Sequence, residues 1–232
     1  MEHCKGAIIV TEDVRKTYKD NGMEVEAVRG ISLSIRPCEF TALVGPSGSG
    51  KTTFLNIVSG LDSLTSGKVW LNGKLISEMK GRELSDFRRD HIGFIFQSYN
   101  LIPVLTVEEN VEYIMLLQGV PGPERHERVM EILKEVGLED FAHRLPSKLS
   151  GGQQQRVAIA RAMVSKPDLI LADEPTANLD SKTGAELLDM MAELNQRTGM
   201  TFVFSTHDKM IMEHAHRIIT LKDGMIDSDK NR

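Results

Sequence analysis

The sequence predicts an α/β fold with a parallel core, an antiparallel strand addition and a helical insert. Three observations carry this. Apolar runs with polar tips, "FTALVG", "HIGFIFQ", "LILADE" and "FVFSTH", are separated by stretches of helical periodicity. The chain before them alternates apolar and polar residues. The segment after Gln97 turns helix-rich.

In chain order, "AIIVTEDVRKTY" and "VEAVRGISLSI" read as strands joined at the turn "KDNGM", where Asn21-Gly22 signals a hairpin. Phe40 to Val44 is a buried strand, Lys51 to Ser59 a helix, Gly67 to Gly73 a strand and His91 to Gln97 another apolar strand. Thr106 to Gln118 and Glu124 to Val136 carry helical spacing on either side of the breaker "GVPGP". Asp168 to Glu174 and Met200 to Asp208 are continuous apolar runs, the mark of parallel strands covered on both faces. Between them Ser181 to Arg197 is a helix with Ser181 as its N-cap, and "RIITLKDG" and "MIDS" close the chain as short strands. The expected organisation is one domain over 1–232: core and β subdomain over about 1–97 and 165–232, helical subdomain over about 98–164.

Composition narrows the class. A chain of 232 residues that is 41% hydrophobic and 26% charged can bury a substantial core. Its net charge of −5 argues against gripping a nucleic-acid backbone, so no nucleic-acid partner is expected. The run "AIIV" is too short for a signal sequence and no stretch approaches a membrane span, so a cytosolic protein without direct membrane insertion is expected. Cys4 and Cys38 read as incidental thiols, and His214 with His216 as a solvated helix end rather than a metal site. Met190, Met191, Met210 and Met212 read as core filler, and Arg88-Arg89 as a solvated charge pair.

The chemistry begins at "GPSGSGKTT", between a buried strand and a helix. Gly45, Gly48 and Gly50 permit the sharp turn and strip away Cβ atoms, so that N–H groups converge into an anion nest with Pro46, Ser47 and Ser49. The following helix end adds its unpaired N–H groups, Lys51 a mobile cation, and Thr52, beside Thr53, a hydroxyl suited to magnesium. A nucleoside triphosphate is the natural guest.

Ligands of such sheets sit beyond the carboxyl ends of strands, and three tips here are polar. Asp173 is placed to hold magnesium, while Glu174 can take a proton from an attacking water. Gln97 can reach both metal and water, and His207 can donate to a γ-phosphate oxygen. "LSGGQQQR" sets Ser150 and two glycines ahead of a long helix, a second anion-binding N-terminus. Head-to-tail pairing would press that turn against the phosphate held by another copy, with ATP as the glue of a symmetric dimer.

Together "GPSGSGKT", Gln97, "LSGGQ", "LILADE", "NLD" and His207 resemble the ordered motifs of an ABC-type ATPase across nearly the whole chain. The resemblance implies a P-loop NTPase core of RecA type, ATP and Mg²⁺ as ligands, and a homodimer closed on ATP. It implies that Tyr18 stacks on adenine, that the turn Ser150, Gly151, Gly152 and Gln153 contacts nucleotide in trans, that Glu174 is the base, and that Asp180 crosses the dimer interface. "NIVSGLDSLTSG" and "FQSYNLIPVLTVEENV" are similar to the lipoprotein-releasing, macrolide-exporting and cell-division ATPases that serve four-span permeases. That branch implies an integral-membrane permease partner, docked around Ser98 to Val111, and a peripheral place on the cytoplasmic face of the cell membrane. No fused permease or regulatory carboxy-terminal domain is expected. The competing readings are a force transmitter that moves no cargo and a soluble ABC ATPase acting on DNA or the ribosome.

Overall fold

The computed structural model describes residues 6–20 and 23–232. Strand β1 (Ile9–Asp20) pairs antiparallel with β2 (Met23–Ile35), Ile9 opposite Ile35 and Asp20 opposite Met23. The expected Asn21-Gly22 turn lies outside the described residues, as does Cys4. On its other edge β1 meets β4 (Ser66–Leu71), which turns into the short β5 (Lys74–Leu75), giving a four-stranded antiparallel sheet.

The second sheet runs β10-β9-β3-β8-β7-β6, with β3 (Phe40–Val44), β6 (Ile92–Ile95), β7 (Leu169–Asp173), β8 (Thr201–Thr206) and β9 (Arg217–Lys222) parallel. Strand β10 (Met225–Asn231) closes one edge antiparallel to β9. Side chains of the central strands alternate between two cores, as a pleat with both faces covered requires. Phe40, Ala42, Ile170, Ala172, Phe202 and Phe204 pack toward α5 (Gly151–Met163) and α6 (Ser181–Thr198). Leu43, Leu169, Leu171 and Val203 pack toward α1 (Lys51–Val58) and the antiparallel sheet.

Between β6 and β7 lie α3 (Val107–Leu117), α4 (Gly122–Glu135) and α5. Their apolar stripes, Val107, Val111 and Met115 with Val129 and Leu133, merge into the core on the α6 face. Helix α5 lies hard against β6: a Cβ on Gly93 would come within 2.2 Å of the Ala162 carbonyl oxygen. Asn110 joins α3 to the loop after Gln97. Fully buried, it accepts from the Ile102 N–H and sets its Nδ2 within 3.1 Å of the Ile102, Leu105 and Thr106 carbonyls. Asn110→Ala strands these groups and is expected to cost about 3 kcal/mol of stability, read by urea denaturation.

Several expectations are corrected. Helix α2 (Gly81–His91) departs from the sequence expectation, since "GRELSDFRRDH" is largely polar with Phe87 its sole buried side chain. Arg88 and Arg89 are not a solvated pair: Arg88 donates to the Gly60 carbonyl and Arg89 binds Asp86 and Asp90. The N-cap of α6 is Asp180, whose carboxylate accepts from the Thr183 N–H, so Ser181 is the first helical residue. His214 closes α7 (Lys209–His214) half-buried, with Nδ1 donating to the Met210 carbonyl and Nε2 against Asp189. Cys38 is disulfide-bonded rather than an incidental thiol. Met191 is fully buried, and Met190, Met210 and Met212 pack beside the core as expected.

Candidate functional site

Sheet order places four strand ends in a row: β3 with its glycine loop, β8 with Thr206 and His207, β7 with Asp173 and Glu174, and β6 followed by Gln97. Residues far apart in the chain therefore meet at one carboxyl edge.

The loop after Val44 makes its turns at Gly45, Gly48 and Gly50, with φ of 154°, 78° and 98°. A Cβ at Gly45 would meet the Leu221 carbonyl at 2.2 Å, and one at Gly50 the Ala27 carbonyl at 2.4 Å, so no larger residue fits either position. Gly48 has open space around it, so there the backbone angle alone selects glycine. Helix α1 starts at Lys51 with Gly50 as N-cap and no side-chain cap, which leaves first-turn N–H groups for an anion. Pro46 and Ser47 form the outer bend; Ser49 Oγ is buried without a hydrogen-bond partner among the described residues. Lys51 is buried and donates to the Gly45 and Pro46 carbonyls at 2.8 and 3.1 Å, which folds its ammonium over the loop.

Thr52 and Asp173 meet, the threonine hydroxyl donating to Asp173 Oδ1 at 3.1 Å. One hydroxyl and one carboxylate, both hard oxygen donors, fit Mg²⁺, which keeps several of its waters. Among the described residues there is no group of three or more His, Cys, Asp or Glu that could hold a metal. Gln97 is exposed beside this pair's strand, its carbonyl accepting from Asn178 Nδ2 at 2.9 Å; no hydrogen bond brings its amide onto Thr52 or Asp173.

Glu174 is held on three sides. Its φ is 46° and its N–H donates to the Ser205 carbonyl. Thr206 Oγ1 donates to Oε2 at 3.0 Å, and His207 Nδ1 lies 2.7 Å from Oε1. An ionised carboxylate only accepts, so the proton sits on His207 Nδ1, and Nε2 can donate only in the imidazolium form. Thr206 is itself fixed by the Asp208 N–H, and Asp208 by the Thr176 hydroxyl.

The second turn is built by a capping box: Ser150 Oγ accepts from the Gln153 N–H while Gln153 Oε1 accepts from the Ser150 N–H. Those side chains are engaged locally, so the N–H groups of Gly151 and Gly152 remain at the tip. A Cβ on Gly152 would come within 2.6 Å of Thr183 Cγ2, and Thr183 donates to Asp180. Those hydrogen bonds hold the Asp180 carboxyl below the usual range. No hydrogen bond joins the Ser150–Gln153 turn to the Gly45–Thr53 loop among the described residues. One chain thus presents two helix N-terminal tips that no hydrogen bond joins among the described residues.

Tyr18 stands near the end of β1, opposite Val25 of β2, 41% exposed, its hydroxyl on Asp62 at 2.6 Å. Asp62, Lys16 and Thr206 carry no local signal in the sequence: each matters through a partner at least 32 residues away.

The family model described as ABC transporter matches residues 28–177. An ABC transporter ATP-binding protein of Thermotoga maritima is 48% identical over 220 residues, covering 95% of this chain and 94% of its own length. The macrolide export ATP-binding/permease protein MacB of Brucella melitensis is 44% identical across 97% of this chain, which spans 35% of that longer protein. Among solved structures, the ATP-binding cassette MJ0796 of Methanocaldococcus jannaschii, a dimer in a post-hydrolysis state bound to ADP and Pi, aligns with a TM-score of 0.89 at 44% identity, covering 96% of this chain and 98% of that one.

Proposed function

The chain belongs to the ABC transporter family, and from that premise we propose that it is an ATP-hydrolysing subunit that pairs head to tail around two MgATP and drives a four-span permease in lipoprotein release or export. The observation that carries the pairing is that no hydrogen bond among the described residues links the Gly45–Thr53 loop to the Ser150–Gln153 turn, two helix N-terminal tips each left open. Relatives named for macrolide and pyoverdine export support the export class.

In this reading the loop N–H groups and Lys51 neutralise the β- and γ-phosphates, and a second copy's Ser150, Gly151 and Gly152 close the site. Thr52 and Asp173 would hold Mg²⁺, with Gln97 as the adjacent side chain, and the ion supplies charge neutralisation at phosphate oxygens. Glu174 takes a proton from the attacking water while Thr206 and His207 hold its carboxylate in one orientation. Asp180 serves both as the α6 cap and as the contact to the opposite site. Among the described residues no helix is long and apolar enough to cross a membrane. Attachment then runs through the permease at the cytoplasmic face.

The docking surface is the loop after Gln97. Leu101 packs against the core and Leu105 is half-buried, whereas Val104 is 78% exposed, so Val104 offers an apolar contact that can be changed without disturbing the fold. Tagged Glu174→Gln protein, trapped with MgATP and purified from detergent-solubilised membranes, is expected to retain a four-span permease, and the added Val104→Glu to lose it. Recovery of ribosomes or DNA-bound proteins with no membrane partner would overturn the transporter reading.

A further inference from the structure

Tyr18 is braced by two side chains that no phosphate-site motif includes. Its hydroxyl donates to Asp62 Oδ2 at 2.6 Å. Lys16, two residues earlier on β1 and therefore on the same face, is buried and donates from Nζ to Asp62 Oδ1 at 2.7 Å and to the Ser63 carbonyl at 2.6 Å. The same ammonium lies 4.7 Å from the centre of the Tyr18 ring, over one face.

Asp62 is itself anchored to the phosphate helix. The chain after α1 wraps back so that the Leu61 and Asp62 N–H groups both reach the Asn56 carbonyl, and the Asp62 carboxylate accepts from the Ser63 N–H. Burial disfavours the Asp62 charge, yet its hydrogen bonds from Lys16 and Tyr18 outweigh that and hold it below the usual carboxylate range. It is thus an ionised acceptor at neutral pH, bridging a phenol and an ammonium. A tyrosine left exposed near a strand end would sample rotamers; this one has its tip tied and one face covered, while it stays 41% exposed.

We propose that Asp62 and Lys16 are positioning residues that lock the Tyr18 ring at a set place relative to the Gly45–Thr53 loop, with one face turned to the ammonium and the other left for a purine base. This rests on the reading of Tyr18 as the adenine-stacking residue. The arrangement ties the base platform to the segment that leaves α1, so base and triphosphate are both referred to that helix. A pre-oriented ring loses little freedom when the base arrives, and the ammonium behind it draws electron density from the ring toward the side away from the base.

The test compares equilibrium binding of ATP with that of inorganic tripolyphosphate, which engages the loop but has no base, by calorimetry in the full-length Glu174→Gln protein. Tyr18→Phe and Asp62→Asn are each expected to weaken ATP binding roughly fivefold, the worth of one such hydrogen bond, and to leave tripolyphosphate binding unchanged. Equal weakening of both ligands would show that Asp62 acts only through the fold of α1 and would overturn the proposal. Tyr18→Ala separates the two layers. If it weakens ATP while Tyr18→Phe and Asp62→Asn do not, stacking stands and the positioning role falls. If Tyr18→Ala leaves ATP binding unchanged, the stacking reading falls and the positioning role with it.

Discussion

Glu174→Gln is expected to lower ATP turnover about a thousandfold while leaving ATP binding and ATP-dependent dimerisation intact. The amide keeps the size of the carboxylate and still accepts from Thr206, which donates to Oε2 at 3.0 Å, so the geometry survives. What it loses is basicity: an amide oxygen cannot take the proton of an attacking water at neutral pH. Steady-state phosphate release and gel filtration with MgATP read the two halves of the prediction separately. Turnover at the parent rate would remove Glu174 as the base. Loss of dimerisation together with turnover would make the residue structural, an outcome its positive φ of 46° renders worth checking by thermal melting.

The second large effect concerns pairing. Lys51→Ala removes the ammonium that caps the loop and is expected to weaken ATP binding by about two orders of magnitude, the scale of charge-assisted hydrogen bonds to phosphate. Ser150→Arg leaves that loop intact but blocks the other tip. Each variant alone should neither dimerise nor hydrolyse. Mixed in equal amounts, they can form a heterodimer in which the intact loop of the Ser150→Arg chain faces the intact turn of the Lys51→Ala chain. Partial recovery of turnover, at most half of the parent value, is therefore expected. Recovery of nothing would show that loop and turn complete one site within a protomer, and would overturn the head-to-tail arrangement.

Much of the site was visible in one dimension because its requirements are local. A loop that must turn three times with φ above zero and admit backbone oxygens at 2.2 to 2.4 Å of a Cβ position can hold only glycine there. A strand covered on both faces must be apolar until its tip, so "LILADE" and "FVFSTH" announce where the sheet ends and the polar edge begins. The capping box of Ser150 with Gln153 is likewise written in four consecutive residues. Where local rules offer close alternatives the backbone decides: Asp180 and Ser181 are both good caps, and ψ of 158° at Asp180 makes it the cap.

What sequence alone determined was therefore each element that nearest neighbours specify: the buried strands, the glycine loop, the capped turn and the polar tips. Tertiary structure alone decided which of these meet. Thr52 reaches Asp173 across 121 residues, Tyr18 finds Asp62 across 44, and Thr206 steadies Glu174 across 32. Helix α2 is amphipathic but carries little apolar surface, Phe87 with Leu84 one turn before it, so it is the docking of those two side chains on the core that holds it. The physical reason is the same in each case. Backbone angles, caps and alternation are set by sterics over a few residues, whereas strand order and helix docking are set by the burial of apolar faces against partners that the chain supplies much later.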